Sequence, residues 1–530
     1  MPLPTADTPW PPVDPTVQTA LADWDAWYSS EPERLAERYR NRGSQTPANR
    51  PAQYAGGVRG KLARWFWGEP TPAGETVSKL HIPLAGDIAR TSSGLLFSEP
   101  PALIGENDTT QTRLDAMAKS LHPTLLEAGE LAAAHGGAYL RVVWDTEVSD
   151  RPWIDVVAAD RAAPEFRYGR LTAVTFWTVL DSGDTSDRRV FRHLERHEKG
   201  RIYHGLYEGS SSTLGAVRPL ADHPATAPLS EEVDAEGGLD TGAPQHLTAS
   251  YMPNVRPARA WRHVPSAAYW GQSDFQGIEG LMDALDEAWT SWMRDIQDGK
   301  SRIIVADSLL QSLGPGQGVS WEDRRVYTGL SMLPRAGDPN PITSVQFAIR
   351  VKEHADTCAA LVQEAARQAG YSAGTFGEHG EGQAVTATEI KARERRSLAT
   401  RARKALYADP ALSDILAAQL AVEAGFRFGV RGLDSKPPEV EFQDSISEGV
   451  GELATTAELL RRAEAASTQT LVEMLHPDWD KDQVRAETDA ILGESGRAVS
   501  DPTQTGAEGV PDAGVPGDGG EPRGGGPGAV

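Results

Sequence analysis

Apolar residues Ile278, Leu281, Met282, Leu285, Trp289, Trp292 and Ile296 recur at steps of three and four, which predicts one amphipathic helix over residues 273–298. Ser273 followed by Gln276 reads as a capping box, and Gly299 with Lys300 reads as the stop. A second stripe, Val351, Ala355, Cys358, Val362, Ala365 and Ala369, predicts a helix over 345–369 whose small residues permit another helix to approach closely. Strand patterns over 302–306 and 325–333, around the Gly-rich 314–318, predict a small β unit between these helices. Thr386 and Glu389 form a capping box that opens a helix over 386–408, and further helix is expected over 411–428, 452–475 and 481–492. Upstream, a helix over 113–135 alternates with strands over 138–144, 153–157, 171–180, 190–198 and 201–207, with a hairpin turn at Glu198, Lys199 and Gly200. The fold class is therefore α+β, mainly helical. A short helix over 17–40 carries Trp24, Trp27 and Tyr28, which are expected to dock it on the rest. Residues 225–245 read as an exposed acidic loop. The chain beyond 494 is Gly, Pro, Asp and Ser and reads as disordered.

Charge changes the picture of the first helix. Its polar side holds Asp274, Glu279, Asp283, Asp286, Glu287, Asp295 and Asp298 against a single Arg294, so it can face nucleic acid but cannot grip it. The whole chain of 530 residues carries a formal net charge of −23, which argues against wrapping a phosphate backbone. A single cysteine, Cys358, excludes an intrachain disulfide and a thiolate metal cluster, and as a seam residue of a helix it reads as a small packed hydrophobe. The N-terminus lacks a signal-peptide pattern and no long apolar run occurs, so no membrane role is expected and the chain reads as soluble and non-secreted.

Candidate chemistry is sparse. Gly299-Lys300-Ser301 resembles the end of a phosphate loop, but the opening glycine of that motif would fall at Arg294, inside a helix. His193 and His197 would suit zinc on a helix; in a strand they stand roughly 13 Å apart, and a solvated strand face fits better. Trp65 and Trp67 read as core or contact residues. The helix at 386–408 holds Lys391, Arg393, Arg395, Arg396, Arg401, Arg403 and Lys404, for which pairing with acidic neighbours fits the overall charge better than a phosphate-facing surface. No nucleophile-and-base arrangement stands out, and no cofactor or metal is expected.

The succession of parts is more specific than any one of them. The start at Gly271, Ser273, Asp274 and Phe275, the acidic helix, the β unit, the second helix, a Gly-rich loop and the helix opening Thr386-Ala387-Thr388-Glu389-Ile390-Lys391 together resemble the portal proteins of tailed bacteriophages. Residues 81–101 are similar to the wing region of that family. The resemblance implies an elongated portal fold of wing, stem, clip and crown that assembles as a ring, typically of twelve copies, at one capsid vertex. By it, 1–60 is an arm, 61–264 a wing touching capsid and scaffolding proteins, and 265–300 and 345–370 the stem helices. Residues 301–344 become the clip that meets terminase and head-completion proteins, 371–385 a tunnel loop, 386–437 an outward helix with further wing, 438–495 the crown and 496–530 the tail. Double-stranded DNA would pass without sequence-specific contact, and the ring would be assembled in the host cytoplasm and end in the virion.

The same resemblance implies that Asp283, Asp286 or Glu287 lines the channel. The tunnel loop would offer Phe376, Glu378, His379 and Glu381 on a backbone loosened by Gly374 and Gly377, although it lacks the lysine or arginine that would grip DNA. Leu281, Leu285, Trp292, Val351, Ala355 and Val362 would pack subunit against subunit. Another minor capsid or adaptor protein would share the charge balance and tail, and a DNA-packaging enzyme would need a phosphate loop or clustered carboxylates that the sequence does not show.

Overall fold

The computed structural model describes residues 3–4, 7–43, 79–181, 189–298, 302–306, 311–312, 319–320, 327–330, 342–345, 350–376, 387–434, 436–442, 450–476, 479 and 481–494. The chain divides into two compact units, Met1–Gln443 and Asp444–Val530.

The first unit opens with helices α1 (Pro15–Ser29) and α2 (Pro32–Gly43). The Asp14 carboxylate caps α1 by accepting from the Thr16 N–H at 2.8 Å, and Ser30, at φ 55°, ends it. The single helix expected over 17–40 is thus two. Trp24 and Trp27 are buried, so the aromatics of this arm do dock it. They join the largest core with Val17 and with Ile88 of α3 (Leu84–Phe97).

A short strand β1 (Ala102–Ile104) leads to α4 (Asp108–His135), capped by the Asn107 side chain accepting from Thr110 N–H at 2.8 Å. Gly136 at φ 84° stops α4, a conformation that costs glycine little. The chain then enters β2 (Gly137–Val143) and β3 (Trp153–Ala158), and a three-stranded antiparallel sheet forms when β10 (Ala249–Pro253) pairs with β2. A second antiparallel sheet runs β4 (Ala162–Arg167), β5 (Arg170–Leu180), β6 (Val190–Glu198), β7 (Arg201–Gly209) and β8 (Ala216–Arg218), with β9 (Gly238–Asp240) also on β7. Gly200, at φ 75°, makes the expected hairpin between β6 and β7. The segment 225–245 is not simply an exposed loop. It contributes β9, and its own Thr226, Leu239, Thr241 and Ala243 are buried.

The polar face of β6 is also not solvated. His197 is fully buried, with Nδ1 2.8 Å from Thr248 Oγ1 and Nε2 2.5 Å from Glu195 Oε1, while Arg141 of β2 donates to Glu195 at 3.0 Å. His193 stacks on His204, Nε2 to Nδ1 at 3.1 Å. Strand alternation alone puts residues 193, 195 and 197 on one face; the neighbouring sheet's Arg141 turns that face inward. Burial pushes His204 down to about 4, so the imidazole is neutral at ordinary pH.

After α5 (Glu279–Asp298), β11 (Arg302–Ala306) pairs in parallel with β14 (Tyr327–Leu330) and antiparallel with β15 (Ile342–Val345), and β12 (Gln311–Ser312) pairs with β13 (Val319–Ser320). The expected small β unit is present. Helix α6 (Val351–Ala369) follows, and then α7 (Ala387–Ala424), which continues through Pro410 where two helices were expected. Leu412, Ile415, Leu416 and Val422 of α7 are buried with Leu114 and Leu125 of α4 in a second core. That packing outweighs the local cost of an interior proline, roughly 3 kcal/mol. Strand β16 (Glu439–Glu441) closes the unit by pairing with β1.

In the second unit, α8 (Val450–Arg462), α9 (Thr468–Leu475) and α10 (Lys481–Glu494) are packed on one another. Ser467 caps α9 by accepting from Thr470 N–H, so the single helix expected over 452–475 is interrupted before this cap. Among the described residues no helix is long and apolar enough to cross a membrane.

Candidate functional site

Helix α5 begins at Glu279, later than the capping pattern at 273 suggested. Ser273 is fully buried and its hydroxyl donates to the Ala133 and Ala134 carbonyls at 3.2 and 2.6 Å, while Gly277 at φ 93° breaks the helical path. The start is set instead by Glu279, whose carboxylate accepts from Gly277 N–H at 2.8 Å and from the Trp24 indole at 3.1 Å. A terminal turn that lies against α4 could not be read from local residues alone.

Much of the negative face of α5 is occupied by the chain itself. Residues 79–82 run along it: Lys79 Nζ meets Asp283 at 2.9 Å and Glu287 at 3.2 Å, and Leu80 N–H donates to Thr290 at 2.9 Å. Burial pulls the Lys79 ammonium down, and the two carboxylates outweigh it and hold its pKa above the usual value. Asp286 is 1% exposed; it accepts from Ile82 N–H at 2.9 Å and pairs with His81 Nδ1 at 2.9 Å. A place on a channel wall is therefore not open to Asp286. Asp283 is partly covered and Glu287 half-exposed, with side chains 27% and 51% accessible.

The apolar stripe of α5 meets α6 within the same chain. Met282 and Leu285 are buried in one core with Cys358 and Ala365, and Leu281, Trp292 and Val362 pack against it. At the far end Asp295 accepts from Arg350 and His354, each at 2.9 Å, and His354 stacks on Trp292. The His354 and Arg350 hydrogen bonds hold the Asp295 carboxyl below its usual range. Leu285, expected between subunits, is thus a core residue of its own chain, because a stripe seeking a partner is satisfied first by the returning helix. Ala355 is partly buried, while Val351 is half-exposed.

The loop after α6 is rooted in a buried polar hub. Lys404 Nζ of α7 donates to Asp274 at 2.6 Å, to Tyr371 Oη at 2.8 Å and to Ser92 Oγ at 2.5 Å. Tyr371 donates to Asp274 at 2.7 Å, and Asn254 donates to it at 2.8 Å. Burial pulls the Lys404 ammonium below its usual value, opposed by Asp274, and burial with the Asp274 charge pushes the Tyr371 phenol well up. Phe376 packs against the main core and edge-on to Tyr371, and Gly374 is half-buried beside it. Phe376 is thus partly buried at the root of the loop, with the remainder of its ring accessible. Gly377, Glu378, His379 and Glu381 lie outside the described residues.

Three of the cations of α7 are taken up by the chain's own groups, while Arg395 and Arg396 are exposed. Besides Lys404, Arg401 donates to the Leu95 carbonyl at 2.8 Å and Arg403 to the Arg256 carbonyl at 2.7 Å. Lys404 and Asp274 did not emerge from the residue pattern as partners, although a signal existed. The buried stripe Leu412, Ala408 continues backward at helical spacing onto Lys404 and Arg401. Among the described residues, no group of three or more His, Cys, Asp and Glu side chains stands close enough to hold a metal ion.

The molecule is thus an α+β protein, about half helical, whose polar clusters tie elements together. Residues 267–500 match the family model described as phage portal protein, SPP1 Gp6-like, which shows the resemblance to tailed-phage portal proteins over that stretch. No curated protein matches the chain. Two solved structures are similar at low identity. One, "Neck of native GTA particle computed with C12 symmetry", is 14% identical, with 81% of this chain and 92% of that chain covered and a TM-score of 0.34. The other, "Neck of empty GTA particle computed with C6 symmetry", is 13% identical, with 74% and 90% covered and a TM-score of 0.39.

Proposed function

We propose that this chain is the subunit of a ring-shaped head-to-tail connector at one vertex of a phage capsid, through which double-stranded DNA is packaged and ejected. The observation that carries the proposal is the ordered set of elements in the matched stretch: an acidic helix, a small β unit, and a small-residue helix that returns along the first. In this reading α5 and α6 are the stem, 301–344 the clip that docks terminase and head-completion proteins, and 371–385 the tunnel loop. Residues 386–437 run outward into the wing, 61–264 form the wing against capsid and scaffold, 438–495 form the crown, and 1–60 remain an arm. The role is structural and needs no cofactor.

Physical chemistry supports the assignment of α5. Every phosphate neutralised by a bound cation releases counterions and adds a favourable, sequence-independent term, so a conduit must avoid such contacts. Lys79 offsets one of the two charges of Asp283 and Glu287, which leaves the patch net negative, and repetition around a ring would keep the wall repulsive. Asp283 and Glu287 are accordingly the channel-facing candidates. Val351 and Ala355, not Leu285, are the seam residues left for a neighbouring copy.

Replacing Glu287 with lysine tests the lining. Its half-exposed side chain can change sign without burying a charge, so ring assembly and melting temperature should be retained while DNA packaging slows several-fold at low salt. Packaging at the wild-type rate in assembled E287K rings would remove Glu287 from the wall.

A further inference from the structure

A hollow of about 570 Å³ lies among β5, residues 245–256 and α7, with the cations Arg170, Lys199 and Arg256 in its wall against one carboxylate, Asp414, and beside them His246, whose pKa burial and the Lys199 charge hold below the usual imidazole value. In a chain of net charge −23 this local excess of cations is anomalous. Three other arginines with largely covered side chains are matched by carboxylates: Arg113 with Glu423, Arg141 with Asp155, Arg196 with Glu165. Those of the hollow are not. Among the described residues the side chains of Arg170, Lys199 and Arg256 make no hydrogen bond or ion pair, and Arg256 Nε is buried without a partner.

Arg256 is nevertheless held in place. Its guanidinium lies over the Tyr251 ring at 5.4 Å and the Phe166 ring at 5.8 Å, and its carbonyl accepts from Arg403 at 2.7 Å and from the Tyr407 hydroxyl at 3.0 Å. An unmet buried donor costs roughly 1–3 kcal/mol, more for a charged group, and a partner bringing two oxygens would remove that cost. The rings fix the guanidinium beforehand, which lowers the entropy lost on binding.

We propose that this hollow binds a carboxylate of an acidic segment on a partner protein, with Arg256 as the principal donor and Arg170 and Lys199 drawing the segment in. A peptide side chain suits the space: the hollow has the volume of a small-ligand site, and Phe166, Tyr251 and Tyr407 offer apolar walls beside the cations. A DNA duplex would have to bring its many phosphates against a strongly acidic protein to place one of them here.

The test uses the full chain and fluorescence anisotropy with fluorescein-labelled hexaglutamate, hexaglutamine as the neutral control, and inorganic phosphate and a short DNA duplex as alternative probes. Hexaglutamate should bind and hexaglutamine should not. Arg256→Gln should weaken binding by about tenfold or more. Arg170→Ala and Lys199→Ala, both exposed positions, should weaken it several-fold without altering the melting temperature, which separates binding from folding. The proposal is overturned if wild type fails to bind hexaglutamate, or if all three variants bind it as wild type does. Arg256-dependent binding of phosphate or duplex without the peptide also overturns it.

Discussion

Substituting Lys404 with methionine is expected to cost about 3–5 kcal/mol of stability, because it leaves the Asp274 carboxylate buried without its cation. The two side chains are only 3% and 6% exposed, so water cannot take over. Tyr371 and Asn254 would still donate to Asp274, but neither supplies charge. The loss should appear as a shifted urea midpoint with an unchanged slope. A second substitution, Asp274→Asn, removes the stranded charge and should recover part of the loss, giving a coupling well outside additivity. A single-variant change below about 1 kcal/mol would mean that the pair is solvated and that the root of the loop is not fixed by this hub. The hub joins α3, the turn before α5, the start of the loop and α7, so its loss should loosen all four together.

Substituting Asp286 with alanine should cost about 3 kcal/mol, whereas Glu287→Ala should change stability by no more than about 0.5 kcal/mol. The carboxylates are neighbours in sequence and similar in charge, and their surroundings set them apart. Asp286 accepts from the Ile82 N–H and pairs with His81, and its removal strands a backbone donor against α5. Among the described residues Glu287 reaches only Lys79, and it is half in water. Thermal melts of the two variants side by side decide the matter. Equal losses would show that 79–82 does not pack on α5 as described, and would return Asp286 to the channel-facing candidates.

How far the sequence could be read depends on whether the deciding interaction was local. The strands around 138–143, 170–180 and 190–209 and the hairpin at Gly200 follow from alternation and one turn residue, and the structure has them within a few positions. The stripe of α5 was equally plain, but its partner was not. Periodicity shows that a face must be buried without showing whether the same chain or another copy buries it, which is why Leu285 was expected at an interface and lies in a core. Ser273 misled for a related reason: its side chain serves carbonyls in a helix far away in the chain. The imidazoles of β6 looked solvated because the groups that meet them, Thr248 and Phe176 at His197 and His204 at His193, come from other parts of the chain. Lys404 shows the opposite case, since its helical register with Ala408 and Leu412 already marked it as inward-facing.

The proposed connector requires copies of this chain to close into a ring around a channel. Met282 and Leu285 of α5 lie in one core with Cys358 and Ala365 of α6, so the contact between copies must come from side chains outside that core, Val351 and Ala355 included. Negative-stain imaging of the purified full-length protein tests this most directly. Discs of uniform diameter with a stain-filled central hole are expected. A population that stays monomeric at high protein concentration would contradict the ring.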